Sequence, residues 1–387
     1  MTISNVRGNI YLDQFNKRSI DLISKIYGMI AWLMGINRLT MFFKLGTKSK
    51  ILTLAYSLFF NSLLFYFVLK SNTSNVYMKF FNITEYLLCA FIAFIYNETL
   101  LKFYEGLSQF DNEITFKSSV TSKSVVNFLQ AVFNLILVII LNSCCNNIEH
   151  LGNVTADVIP AHLTHVWEIH YYVHLFELLK LRLKSVRVLL LASFPTNVVV
   201  DITCCSENDL CKENIVTLVN NNKKNTVRKL LNLYSKIITI YDFLNAALQW
   251  QLLLIISTTF LVMLVWTYDA VLHIINDEYT LIEGLFDMVL FFALIAPMFT
   301  ICGSGQGIHD EVMLLQNALY PRIYKNTFDK KNRSVASSLL ALTEVRTLSF
   351  SVFRMFDLNT SFPFKFFGLL ASYLVILLQF KKVTNFK

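Results

Sequence analysis

The chain has 387 residues, of which 55% are hydrophobic and only 16% charged, with a mean hydropathy of +0.51; an average soluble domain is about 25% charged. That composition excludes disorder, collagen-like sequence and a disulfide scaffold, and its recurring apolar stretches leave a polytopic, all-α membrane protein. The net charge of +8 comes from 34 basic and 26 acidic residues. The bases cluster between apolar stretches, as in cytoplasmic loops, which argues against a nucleic-acid partner.

In chain order, residues 26–37 come first. They are apolar for only 12 residues between Lys25 and Arg38, too short to span. They read as an interfacial or membrane-dipping helix on the cytoplasmic side. No small-residue cleavage site follows, so a signal peptide does not fit. Charge-free spans are predicted at 51–69, 124–148, 243–268 and 288–309, each 19 residues or longer. Three further spans carry charges or are short. Residues 85–104 hold Glu98 and Lys102, and 163–193 hold a basic run from Lys180 to Arg187. The latter helix can cross and then project into the cytoplasm. Residues 366–380 are only 15 long, with Lys365 and Lys381 able to snorkel.

Seven spans put the termini on opposite sides. With the N-terminus inside, 29 basic residues lie inside and five outside, so the positive-inside rule predicts a cytoplasmic N-terminus and an extracellular C-terminus. This is the reverse of a G-protein-coupled receptor, whose Asp-Arg-Tyr and Asn-Pro-x-x-Tyr patterns are also missing. The chain divides into a cytoplasmic segment (1–50), a six-helix bundle with cytoplasmic extensions (51–361), and a last helix with an outer tail (362–387). Asn72, Asn82 and Asn153 are sequons in predicted outer loops, although Asn332 and Asn359 also match and lie inside. No internal repeat is visible, which weighs against transporters built from paired halves.

Candidate chemistry is sparse. His162, His165, His170 and His174 open the fourth span. His170 and His174 share a helix face as metal ligands do, but no His-Glu-x-x-His is present. A membrane-edge belt with Trp167, Tyr171 and Tyr172 is the simpler reading. Cys204, Cys205 and Cys211 match no zinc spacing, and Cys144 and Cys145 read as small hydrophobes. Gly303-Ser304-Gly305-Gln306-Gly307 looks like a phosphate loop but lacks the Lys-Ser/Thr that completes one, so it reads as a flexible helix exit. No nucleophile–base pair or paired carboxylates suggest an enzyme, and no metal or cofactor is implied.

The last span carries more. At 100° per residue, Lys365, Leu369, Ser372, Ile376 and Gln379 fall within about 80° of one another. Gln379 either reaches the outer headgroups from the helix end or faces a water-filled path, because an unsatisfied amide in hydrocarbon is costly. In the second case Ile376 gates by dewetting and Gln379 offers amide oxygens to cations. One helix cannot enclose a pore, so that case requires an oligomer.

Ser372-Tyr373-Leu374-Val375-Ile376-Leu377-Leu378-Gln379-Phe380 resembles the Thr-Tyr-(five hydrophobics)-Gln-Phe signature closing the last helix of insect gustatory receptors, with Ser for Thr. Ile26-Tyr27-Gly28, Tyr56-Ser57, the long fourth helix, Asp310-Glu311 and Gly368 extend the resemblance. It implies a tetrameric, ligand-gated, non-selective cation channel sharing its fold with insect odorant receptors, in the plasma membrane of chemosensory neurons. Gln379 then faces the pore, Ile376 matches a gate position and Tyr373 supports packing of the pore helix. Cytoplasmic ends of helices four to seven (177–200, 225–250, 303–325 and 335–358) form the inter-subunit anchor. The tastant pocket lies in the outer half of the bundle, with Tyr86, Trp167, His170, Tyr171 and Trp266 as candidates by depth and aromaticity. Sugar-receptor members often carry Glu where this chain has Leu374, which leans toward other ligands. The partners implied are a small-molecule tastant, lipid, permeant cations and related subunits. An odorant receptor, a metabotropic seven-helix receptor, and a transporter or membrane enzyme are the competing classes.

Overall fold

The computed structural model describes residues 22–34, 36, 38, 47–70, 76–114, 121–145, 152–194, 223–275, 281–324 and 330–384. Ten helices carry almost all of them: α1 (Leu22–Leu33), α2 (Thr47–Lys70), α3 (Val76–Ile95), α4 (Asn97–Glu113), α5 (Thr121–Cys145), α6 (Gly152–Ser193), α7 (Lys223–Ile275), α8 (Leu281–Tyr324), α9 (Lys330–Val345) and α10 (Phe362–Thr384). Between α9 and α10 lies an antiparallel hairpin, β1 (Ser351–Val352) with β2 (Phe356–Asp357), in register Ser351↔Asp357 and Val352↔Phe356. The all-α expectation holds. The cysteines at 204, 205 and 211 and the sequon Asn72 lie outside the described residues.

Three helices are far longer than a bilayer needs. At 1.5 Å per residue, α6, α7 and α8 (42, 53 and 44 residues) run about 63, 80 and 66 Å. A hydrocarbon core is about 30 Å thick, so each has a long portion beyond it. By length and composition, α7 over Val227–Leu272 and α10 over Phe362–Lys381 qualify as membrane spans among the described residues, with a third only if the bent pair Thr84–Ile95 and Asn97–Glu113 is counted as one span.

The predicted span 85–104 is not one straight helix. It breaks at Tyr96, and the helices on either side meet at 54°. The reason is legible in α4. Leu100, Phe103, Leu107 and Phe110 recur at steps of three and four and are buried, while Glu98, Lys102, Glu105 and Glu113 are exposed. Such a helix suits a protein–water boundary rather than hydrocarbon, so the chain turns to lay its apolar stripe on α7. Gly106 permits a close approach there, since a Cβ at that position would stand 2.8 Å from Ile240 Cγ1. Arg182 closes the far end through Asp111, donating at 3.1 and 2.6 Å.

The sequence Gly303–Gly307 is not a helix exit. It runs uninterrupted inside α8. Its small residues let neighbours approach: a Cβ on Gly305 would meet the Leu358 carbonyl oxygen at 2.9 Å, and one on Gly307 would meet Lys180 Nζ at 2.5 Å.

The segment between α9 and α10 is tightly bent. Helix α9 ends at Val345, within the predicted anchor stretch 335–358. Leu348, Phe353 and Arg354 all have positive φ (43°, 49° and 58°). Phe353 and Arg354 are the central pair of a turn closed by Met355 N–H donating to Val352 O at 2.9 Å. Two positive φ values make a type I′ turn, usually built from Asn-Gly. Bulky residues there cost about 1–3 kcal/mol each. Packing holds them: Phe353 lies against Trp250 (centroids 4.6 Å), and Leu348, Phe350 and Val352 are buried.

Candidate functional site

Helix α6 is the axis of the molecule. Residues 164–176 are buried without exception, because α6 packs against α3, α5, α7 and α8. Its histidines therefore do not form a membrane-edge belt. His165, His170 and His174 each face a different partner in the core. His165 Nδ1 stands 2.7 Å from Glu85 Oε1 on α3, and its Nε2 stands 3.1 Å from Thr259 Oγ1 on α7. His170 Nε2 pairs with Asn134 on α5 at 2.8 Å, and His174 Nε2 with Ser24 on α1 at 3.0 Å. The His162 side chain lies outside the described residues. Among the described residues no cluster of potential metal ligands occurs.

One turn from His165, a charge pair sits in the core. Arg38 and Glu168 are 2% and 1% exposed and form a two-pronged ion pair, the Nε donating to Oε1 at 3.2 Å and Nη2 bonding Oε2. Tyr172 O–H donates to Glu168 Oε2 at 2.6 Å. With its amide turned so that both ends are satisfied, Gln251 donates to Tyr172 Oη at 2.7 Å and accepts from Arg38 Nη2 at 3.3 Å. The guanidinium also lies 4.6 Å from the Tyr171 ring centroid. A buried carboxylate is tolerable only with such pairing.

That network pins α1 into the bundle. Tyr27 is fully buried, 4.8 Å from the Trp167 ring and stacked 5.2 Å from His174. Three aromatic donors from three helices take carbonyls on this segment: Trp167 to Tyr27 O at 3.2 Å, Tyr56 to Leu33 O at 3.3 Å, and Tyr86 to Met34 O. One face of the predicted interfacial helix is thus core, while Leu22, Met29 and Leu33 stay exposed.

Of the candidate pocket residues, Trp167 and Tyr171 share contacts with Tyr27, and Tyr86 caps the end of α1. His170 faces α5. Trp266 lies about 10 Å beyond Thr259 along α7. Sequence reasoning missed Arg38, Glu85 and Gln251; a lone Arg next to an apolar stretch reads as a flank until its partner is located.

An apolar crevice lies beside this layer, lined by Ile169, Ile255, Thr259, Met298, Leu358 and Phe362 among others. Its free volume is about 10 Å³, roughly one water. It joins α6, α7 and α8 to the entry of α10.

Helix α10 starts with Pro363 in its first turn, where a missing N–H costs nothing. Its buried residues Phe362, Phe366 and Leu370 face the bundle. Tyr373 packs edge-on to Phe260 of α7, centroids 5.8 Å apart. Lys365, Leu369, Ser372, Ile376 and Gln379 are all exposed, as is Phe380. Ser372 O–H donates to Gly368 O at 2.8 Å. Of the other sequons, Asn82 falls within α3 and Asn153 at the start of α6.

This architecture has relatives. Two structures of the insect olfactory receptor OR5 from Machilis hrabei superpose with a TM-score of 0.59 each. One is in complex with eugenol (15% identity) and the other is described without a ligand (12%); in both, 96% of this chain and 99% of that chain are covered. At such identities the likeness establishes the fold. Comparison with curated protein sequences gives no match. The family model "7tm Chemosensory receptor" matches residues 22–384, nearly the whole sequence, and the chain belongs to that family of membrane receptors.

Proposed function

We propose that this chain is a gustatory receptor acting as a tastant-gated, non-selective cation channel, with the last helices of four subunits forming the pore. The observation that carries this reading is the stripe Lys365, Leu369, Ser372, Ile376 and Gln379. It is exposed along α10, as are Ala371, Val375 and Leu377, while Phe362, Phe366 and Leu370 pack on the bundle and Leu374 and Leu378 are half-buried. In hydrocarbon Gln379 would be an unsatisfied amide; the outer headgroups or a shared aqueous axis satisfy it, and this reading takes the axis. Ile376 supplies the apolar constriction, Gln379 the cation-facing amide, and Tyr373 and Phe380 flank them. Seven crossings, with N-terminus inside and C-terminus outside, go with this reading. The tastant pocket is assigned to Tyr86, Trp167, His170, Tyr171 and Trp266, in the outer half of the bundle around the Arg38–Glu168 pair. A likeness in fold to olfactory receptors keeps an odorant as the alternative ligand. The plasma membrane of chemosensory neurons is the expected location.

The test is recording from cells expressing the chain, with a tastant panel and eugenol applied. Cation currents that vanish without expression support the reading. In that background, Gln379→Glu shifts reversal potentials between cations while surface expression is kept. Unchanged reversal potentials remove Gln379 from the pore.

A further inference from the structure

The linker between α9 and α10 is held more firmly than a connection requires. Its carbonyls are taken by side chains of the long helices: Arg346 O by Tyr234 at 3.1 Å and Ser349 O by Tyr241 at 2.7 Å, both from α7, and Thr347 O by His309 of α8 at 3.3 Å. Phe350 is 2% exposed and wedged between Phe176 of α6 (4.3 Å) and Tyr241 of α7 (4.8 Å). Leu358 N–H donates back to Phe350 O at 2.8 Å, so the exit of the hairpin is tied to this wedge. Leu358 also abuts Gly305 of α8 at backbone distance.

From there an aromatic chain leads into the last helix. Phe356 stacks on Phe362 (4.8 Å), Phe362 meets Phe366 (6.4 Å), Phe366 meets Phe260 (5.5 Å), and Phe260 meets Tyr373 (5.8 Å). Leu358 and Phe362 are also the crevice residues contributed by this end of the chain. Any change in the packing of α6, α7 and α8 around the crevice must displace one or both. The positive-φ backbone at Leu348, Phe353 and Arg354 gives the hairpin a high-energy shape that persists only while these contacts hold.

We infer that Phe350 is a positioning residue that couples the sensing bundle to the pore helix. The hairpin 346–358 is the element that transmits rearrangement of α6–α8 to α10. The inference rests on the channel reading above for its consequence, but its mechanical content stands separately.

Two measurements separate the two. The first is amide hydrogen exchange on the full chain in lipid nanodiscs, with no ligand, for wild type, Phe350→Ala and Gly305→Ala. Exchange across residues 364–370 is expected to rise about tenfold in Phe350→Ala and by a smaller factor in Gly305→Ala. A change confined to 346–358, with α10 unmoved, overturns the inference. If Phe350→Ala does not assemble, Gly305→Ala alone decides, because its Cβ would stand 2.9 Å from the Leu358 carbonyl oxygen and so forces the exit of the hairpin to move. The second is current recording with eugenol as probe and in its absence. Loosened α10 exchange with no current in any variant, under eugenol or the tastant panel, sustains the coupling and removes the channel reading. Currents identical in all three variants, with α10 exchange unchanged, do the opposite.

Discussion

Arg38 and Glu168 show how much rests on single residues here. Glu168→Gln leaves a guanidinium at 2% exposure without its counter-charge. Breaking such a pair from one side costs about 3–5 kcal/mol, against a total stability of about 5–15 kcal/mol. Thermal melts in detergent, followed by size-exclusion chromatography, should show a large loss for Glu168→Gln. The joint replacement Arg38→Met with Glu168→Leu should lose far less, since no bare charge remains. An equal loss in the joint variant would mean that packing, not charge, dominates. Neither partner was legible as a pair, because 130 residues separate them. The histidines were misplaced for a related reason. Trp and Tyr beside His look the same at a membrane edge and in a core; only the helices surrounding α6 decide.

Among the elements, α4 and α8 carry the lessons. Gly106→Ala gains about 1 kcal/mol of helix propensity. The new Cβ, however, meets Ile240 Cγ1 at 2.8 Å, and Ile is stiff at that atom. Overpacking costs about 1–3 kcal/mol, so a net loss is expected. Ile240→Ala in the same chain should lessen the effect of Gly106→Ala in the same melt. The helix break at Tyr96 was hidden because Leu100 and Leu101 resume the apolar content after only three polar residues, Asn97, Glu98 and Thr99. The switch from unbroken hydrophobicity to a 3.6-residue stripe was the available signal. The glycine-rich run in α8 was misread because glycine spacing signals both loops and close helix contacts. Here Leu358 and Lys180 supply the contacts.

For the whole molecule, sidedness is the expectation most worth testing. Tagged copies stained on intact cells should reveal a C-terminal tag and hide an N-terminal one, with permeabilisation confirming expression. The opposite pattern would reverse the positive-inside assignment and turn the reading toward a metabotropic receptor. Native mass spectrometry of the purified protein should give four subunits; a monomer would leave α10 with no axis to line. The class is already written in the order of the amino acids: too few charges for a soluble chain, apolar stretches of bilayer length, and a last helix with one mixed face. These are local or periodic properties, and neighbours in the chain suffice to define them. The tertiary structure alone decided where α6 sits, what Arg38 pairs with and how the hairpin is keyed by Phe350. Those contacts join residues from 36 positions apart, as for Asn134 and His170, to more than a hundred, as for Arg38 and Glu168 at 130, and no local pattern encodes which distant side chain completes a buried charge or fills a ring-sized gap.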